Sequence, residues 1–155
     1  MEYLVRAARI TDIDRFVALS ESTIRSERGQ RPLGTADLLR QLVYLPQASV
    51  VVAEARRTVV GGAILALRPS VRAGGYIGTI DLLVVDPAYD VGRISEALLE
   101  ELLRSARNKG CTVVDAARPD DPVALAPWEG MGFAPAGPRI ERIVTAAGVA
   151  GRPTR

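Results

Sequence analysis

The chain has 155 residues, nearly half of them apolar (48%) and a quarter charged (25%), with a formal net charge of +2. This is the composition of one globular domain with a substantial core, and no apolar run reaches membrane-spanning length. The chain has no histidine and one cysteine, Cys111, which excludes a His general base, a Ser-His-Asp triad, His-ligated metals, a disulfide framework and a Cys-based metal site.

Residues 3–9 (YLVRAAR) read as a first strand. Thr11 or Asp12 can cap a helix through IDRFVALSES, where Ile13, Phe16, Val17 and Ser20 recur at helical spacing. The polar stretch 25–34, broken by Gly and Pro, reads as a loop; Thr35 or Asp37 then starts a second helix that Pro46 ends. Residues 48–55 and 58–68 are two strands of a hairpin turning near Arg56 and Arg57. After the loop PSVRAGG comes the longest β-like run, 76–86 (YIGTIDLLVVD), bounded by Pro87. The helix expected over 91–109 places Ile94, Leu98, Leu102 and Ala106 on one face, and Asn108, Lys109 and Gly110 stop it. CTVVDAA is a buried strand and VALAPWEGMG a short, interrupted helix; Phe133 onward, through RIERIVT, gives one or two closing strands.

The order is that of a mixed α/β (α+β) sheet with helices on both faces, not of an alternating doubly wound fold. No linker divides it, so one domain over residues 1–146 is expected, followed by a flexible tail over 147–155. The opening MEYLVRAARITD lacks the charged-then-apolar order of a secretion signal, so a cytoplasmic protein with no membrane partner is expected. The arginines are scattered, without interleaved aromatics, and argue against a nucleic-acid partner.

Two stretches carry more than fold. In LVVDPAYDVGRISEALL (83–99) a strand runs through a Pro turn into an amphipathic helix, and a helix N-terminus offers free amides and a positive dipole end to phosphates. The other stretch is DPVALAPWEGMGF (121–133). Together with the element order from about residue 3 to 145, they resemble the GNAT superfamily of acetyl-CoA-dependent N-acetyltransferases. Residues 83–99 are similar to the family's strand–loop–helix for the CoA pyrophosphate. Residues 121–133 are similar to its N-x-x-A-x-x-x-Y-E-x-x-G-F helix. The resemblance implies a GNAT-like fold: a six- to seven-stranded, mostly antiparallel sheet whose central strands, near 76–86 and 111–117, splay apart. It also implies acetyl-CoA as cosubstrate, an amine acceptor, no metal, and a homodimer as in many relatives.

The family's loop signature, Q/R-x-x-G-x-G/A, falls on Asp90, Val91, Gly92, Arg93, Ile94 and Ser95, so an acid stands where the cation is expected and Arg93 where the glycine is. Asp90 can cap the helix through the amides of Gly92 or Arg93, the donors a pyrophosphate needs. The Arg93 guanidinium can offer a bidentate phosphate contact in exchange. In the 121–133 motif Asp121 replaces the Asn and Trp128 the Tyr. The resemblance assigns the pantetheine arm to the backbone of Leu83, Val84 and Val85, which needs no particular side chain. One N–H of this strand would then polarise the thioester carbonyl.

For the general base the first candidate is Asp81, read at the start of the central strand, where relatives often carry Glu. Asp115, an acid set within the apolar strand CTVVDAA, is the second, and Glu54 is a weaker third. Trp128 stands where relatives often have a Tyr acid, and its indole N–H is only a donor. Tyr44, Tyr76 and Tyr89 are other phenols of the chain, with Tyr89 read as a packing residue. Two functions stay open. One is an N-acetyltransferase with weakened CoA binding. The other is a GNAT-like module that senses a ligand or binds a protein without catalysis, which Asp90, Arg93 and Trp128 favour.

Overall fold

The computed structural model describes residues 2–28, 34–137, 140, 142 and 143. β1 (Leu4–Ala7) leads through a 3-10 turn at Ile10–Asp12 into α1 (Ile13–Arg28), then α2 (Thr35–Tyr44) and the β2–β3 hairpin (Ala48–Ala55 and Thr58–Ser70). β4 (Gly75–Val85), α3 (Val91–Asn108), β5 (Cys111–Ala116) and α4 (Pro122–Gly130) follow. The five described strands lie in the order β1-β2-β3-β4-β5. Every pair is antiparallel except β4 with β5, which is parallel and crossed over by α3. Residues 133–137 are irregular, and RIERIVT is described at 140, 142 and 143 alone, so the sixth and seventh strands fall largely outside the described residues, as does the tail.

α1 differs from the expected boundary. Residues 25–28, read as the start of a loop, are its last turn. Arg, Ser and Glu extend a helix readily, and the first strong breaker after them is Gly29. The hairpin turns at Arg56 (φ 49°) and Arg57 (φ 66°), both left-handed. That geometry matches the twist of the flanking strands, although it is usually supplied by Asn or Gly.

Alternation along the strands builds two cores. Val51, Ala53 and Ala55 of β2 and Val60, Ala63 and Leu65 of β3 meet Ile94, Leu98, Leu99, Leu102 and Ala106 of α3, with Trp128 of α4 beside them. On the other face Val50, Val52, Val59, Ile64 and Val84 meet Ile13 and Phe16 of α1 and Leu39 of α2. A bulge interrupts the alternation in β3: Glu54 pairs Val59 and Ala53 pairs Gly61, so Val60 is the extra residue. Beyond it, two glycines let a helix approach from each side. A Cβ on Gly61 would come within 3.1 Å of Ile94 Cγ2 and of the Val84 carbonyl oxygen. A Cβ on Gly62 would collide with the Phe16 ring. Both glycines lie opposite the end of β4, pairing Val85 and Val84.

Candidate active site

β4 and β5 stay together only in part. Their register runs from Tyr76 with Cys111 to Ile80 with Ala116, where β5 ends, while β4 continues to Val85. On that side residues 81–85 have no described strand partner. The parting begins at a second bulge: Ile64 pairs Leu82 and Leu65 pairs Ile80, leaving Asp81 as the extra residue of β4. A bulge increases local twist and ends regular pairing, which turns the last half of β4 away from β5. The expected splay is therefore present. Leu83 and Val85 pack toward α3 and Val84 is buried toward α1, so their side chains hold the strand from both faces.

The loop after β4 is tied down by Asp86. Its N–H donates to the Val60 carbonyl at 2.8 Å, its carboxylate accepts from Ala88 N at 2.9 Å, and its carbonyl accepts from Tyr89 N at 3.1 Å. The other carboxylate oxygen accepts from Arg15 Nη2 at 2.8 Å, while Arg15 Nε donates to the Val59 carbonyl at 3.0 Å. One guanidinium thus joins α1, the start of β3 and this loop. Sequence reasoning does not single out Arg15 and Asp86 as site-forming residues. Asp86 before Pro87 is a visible turn former, but nothing local points to a partner 71 positions away.

Asp90 is the N-cap of α3, as its position suggests. Oδ1 accepts from Arg93 N at 3.2 Å and its carbonyl from Ile94 N at 3.0 Å. Val91 and Gly92 supply the two amides ahead of these. The nearest atom to a Cβ built on Gly92 is Asp90 Oδ1, at 4.0 Å, so this glycine is not pressed into a narrow cradle. The Arg93 guanidinium lies over the Tyr3 ring, 5.6 Å from its centroid, a cation–π contact with the segment preceding β1. Ile94 and Ser95 are buried, so their side chains belong to the core. Beside the partnerless edge of β4, the start of α3 thus has its acid on the helix amides and its arginine over Tyr3.

The candidate acids are placed differently from one another. Asp81 is exposed at the bulge. Asp115 is half-buried on β5 and accepts from Thr79 Oγ1 at 2.6 Å across the parallel pair. Val114 and Ala116 face α3, so Asp115 and Thr79 lie on the face that carries α1 and α2. Glu54 accepts from Arg6 at 3.1 and 3.2 Å, and Arg6 also holds Asp12 through two bonds of 2.7 and 3.0 Å. The Arg6 bonds hold the Asp12 carboxyl below its ordinary value, and the same two acids push Arg6 further up. Glu54 is therefore part of an ion cluster between β1 and β2.

Trp128 is buried against α3 and meets Phe133 edge to face, with ring centroids 5.1 Å apart at 79°. It is a core aromatic. Asp121 caps α4 by accepting from Val123 N at 2.9 Å. Tyr76 and Tyr44 are exposed, and Tyr89 packs against the α3 core. Burial pushes the Cys111 thiol up. A cavity of about 250 Å³ lies at the β1–β2 side of the sheet, lined by Ala7, Ala8, Val43, Ser49, Glu101 and Ser105 among others, and no residue of the β4 opening lines it. Among the described residues no group of three or more His, Cys, Asp or Glu could hold a metal ion. No described helix is long and apolar enough to cross a membrane.

A family model described as the acetyltransferase (GNAT) family matches residues 16–133. Glucosamine 6-phosphate N-acetyltransferase of Trypanosoma brucei brucei is 33% identical over 78 residues, 48% of this chain and 50% of that protein. The match thus spans about half the length of that relative. A transcriptional regulator from Bacillus halodurans C-125 superposes with a TM-score of 0.78 at 19% identity, over 92% of this chain and 100% of that one. The ribosomal-protein-alanine N-acetyltransferase of Brucella melitensis biovar Abortus 2308 gives 0.72 at 19%, over 93% and 100%. At these identities the structural likeness speaks for the fold alone.

Proposed function

The chain belongs to the GNAT family of acetyltransferases, and on that premise we propose that it moves an acetyl group from acetyl-CoA to a primary amine by direct attack in a ternary complex. The observation that carries this reading is the parting of β4 from β5 beyond Ile80. The free edge over residues 81–85 can take an extended pantetheine arm as an added strand. A thioester there supplies an activated acyl carbon. A backbone N–H of Leu83, Val84 or Val85 stabilises the negative charge that develops on the carbonyl oxygen. Asp81 or Asp115 accepts the proton lost by the amine, directly or through one water. The C–N bond forms, the C–S bond breaks, and the thiolate departs with its electron pair. A thiolate leaves readily, so the step does not require a proton from Trp128. The acceptor approaches from the face that carries Thr79 and Asp115.

The test follows thiol release by purified protein with acetyl-CoA and a panel of primary amines. Glucosamine 6-phosphate, the sugar in the name of the trypanosomal relative, comes first. Asp81→Asn and Asp115→Asn identify the base: the correct one lowers kcat by about 10² to 10⁴. An alternative reading, a domain that binds without transferring, draws on Trp128, which sits in the core where the resemblance expects a Tyr. Binding of CoA with no thiol release to any amine would select it.

A further inference from the structure

We propose that Asp90 is a built-in anion at the phosphate end of the donor site, and that this chain selects its donor by the pantetheine arm, with little gained from the diphosphate and nucleotide. The proposal rests on the acetyltransferase reading only in treating the β4 opening as a donor site.

Three features of the loop point the same way. The Asp90 side chain and carbonyl engage the amides of Arg93 and Ile94. Its Oδ1 is also the nearest atom, at 4.0 Å, to a Cβ placed on Gly92, so the negative charge stands beside the remaining amides of Val91 and Gly92 that a phosphate would need. An anionic phosphate there meets a like charge at a helix end whose dipole Asp90 already complements. Two arginines described around this loop are engaged elsewhere: Arg93 lies over Tyr3, and Arg15 bridges Asp86 and the Val59 carbonyl. Residues 86–96 carry Asp86, Asp90 and Glu96 against Arg93 alone.

The pantetheine end has none of these conflicts. On the β5 side residues 81–85 have no partner strand among the described residues, and recognition through main-chain hydrogen bonds is indifferent to charge elsewhere on the donor. Acyl thioesters of pantetheine are thus the donor class, whether the arm is carried by coenzyme A or by something shorter.

The experiment titrates the folded chain calorimetrically with CoA, with pantetheine and with 3′-phospho-ADP. It does so for the wild type, for Asp90→Asn, which keeps a capping oxygen without the charge, and for Asp90→Ser as a further capping variant. Circular dichroism verifies that each is folded. The wild type should bind CoA and pantetheine within about tenfold of each other, with 3′-phospho-ADP far weaker. Both variants should tighten CoA by about tenfold, as expected from removing one charge repulsion at a helix end, and leave pantetheine unchanged. The gain should shrink in added salt.

A wild-type preference for CoA over pantetheine of a hundredfold or more overturns the proposal, as does an unchanged or weakened CoA affinity in both variants. Binding of neither CoA nor pantetheine by any of the three folded proteins overturns it too, because the strand edge then holds no arm. Acetyl transfer is scored separately. A CoA-selective wild type that transfers acetyl sinks the proposal and leaves the acetyltransferase reading standing. A pantetheine-selective protein that transfers nothing does the reverse.

Discussion

Gly62→Ala tests how the donor strand is held in place. Strand propensity alone favours the change, because glycine in a strand interior costs about 0.5 to 1 kcal/mol relative to alanine. Packing opposes it. The new Cβ would lie 2.7 Å from Phe16 Cδ2, 2.8 Å from Cζ and closer still to Cε2. Phe16 is fully buried, so its ring has no solvent to swing into, and either α1 or β3 must shift by about an ångström for contacts near 3.5 to 4.0 Å to be restored. Overpacking of this kind costs about 1 to 3 kcal/mol, and a clash with an aromatic ring belongs at the upper end. Setting about 3 against a propensity gain of about 1 leaves a net loss of about 2 kcal/mol, or roughly 4 to 8 °C in Tm for a domain of this size. Urea unfolding of the wild type, Gly62→Ala, Phe16→Leu and the double variant measures it. Phe16→Leu should recover part of the loss in the double variant, giving a coupling of at least about 1 kcal/mol. A Gly62→Ala protein as stable as the wild type, or a double variant that is merely additive, would refute the packing account.

The ion pairs lead to two more expected outcomes. Because Arg6 lowers the Asp12 carboxyl below its ordinary 3.8, the contribution of the ionised acid is fully present above that value and is lost as pH falls through the lower, folded one. Urea midpoints taken from about pH 4.5 down to about 2.5 should therefore fall more steeply for the wild type than for Asp12→Asn, and parallel curves would remove the Arg6 bonds as the cause. Arg15→Gln should cost at most about 1 kcal/mol of stability, since the pair with Asp86 is partly exposed, yet raise the donor KM several-fold with kcat retained, because it frees the loop before α3. Reduced stability with an unchanged donor KM would show that Arg15 supports the fold without positioning the loop.

Elements with a clear period are legible in the sequence. The four apolar positions of α3, the hairpin at Arg56 and Arg57, and the Asp90 cap all depend on residues within a few positions of one another. What cannot be read there depends on register. Asp81 reads as a base at the start of the central strand, but it lies inside β4 as the bulge residue at which β4 leaves β5, and a bulge is visible only when both strands are aligned. Thr79 and Asp115 are 36 positions apart and meet because the parallel pair places them opposite. The end of α1 is hidden for a different reason: Arg, Ser and Glu in 25–28 have the polarity of a loop, although their helix propensity favours one more turn. Glu54 reads as an available base because Arg6, its partner, is on another strand.

The dependence on buried shape also explains why the scaffold and the loop chemistry can part company in this chain. Val84 and Val85 pair with Gly62 and Gly61, and those two glycines seat Phe16 of α1 on one face and Ile94 and Leu98 of α3 on the other. The position of the donor strand, and of the first turn of α3 above it, is thus set by buried shape on both sides of one four-residue patch. Asp90 and Arg93 stand apart from it: the Asp90 carboxylate caps the helix start and the Arg93 guanidinium lies over Tyr3. A substitution in the patch disturbs the strand edge and the helix together and is resisted by core packing at about 1 to 3 kcal/mol. An exposed substitution at the loop costs tenths to about one kcal/mol of stability and is felt almost entirely in ligand charge. The fold can therefore keep the open edge of β4 while the charge at the start of α3 changes sign.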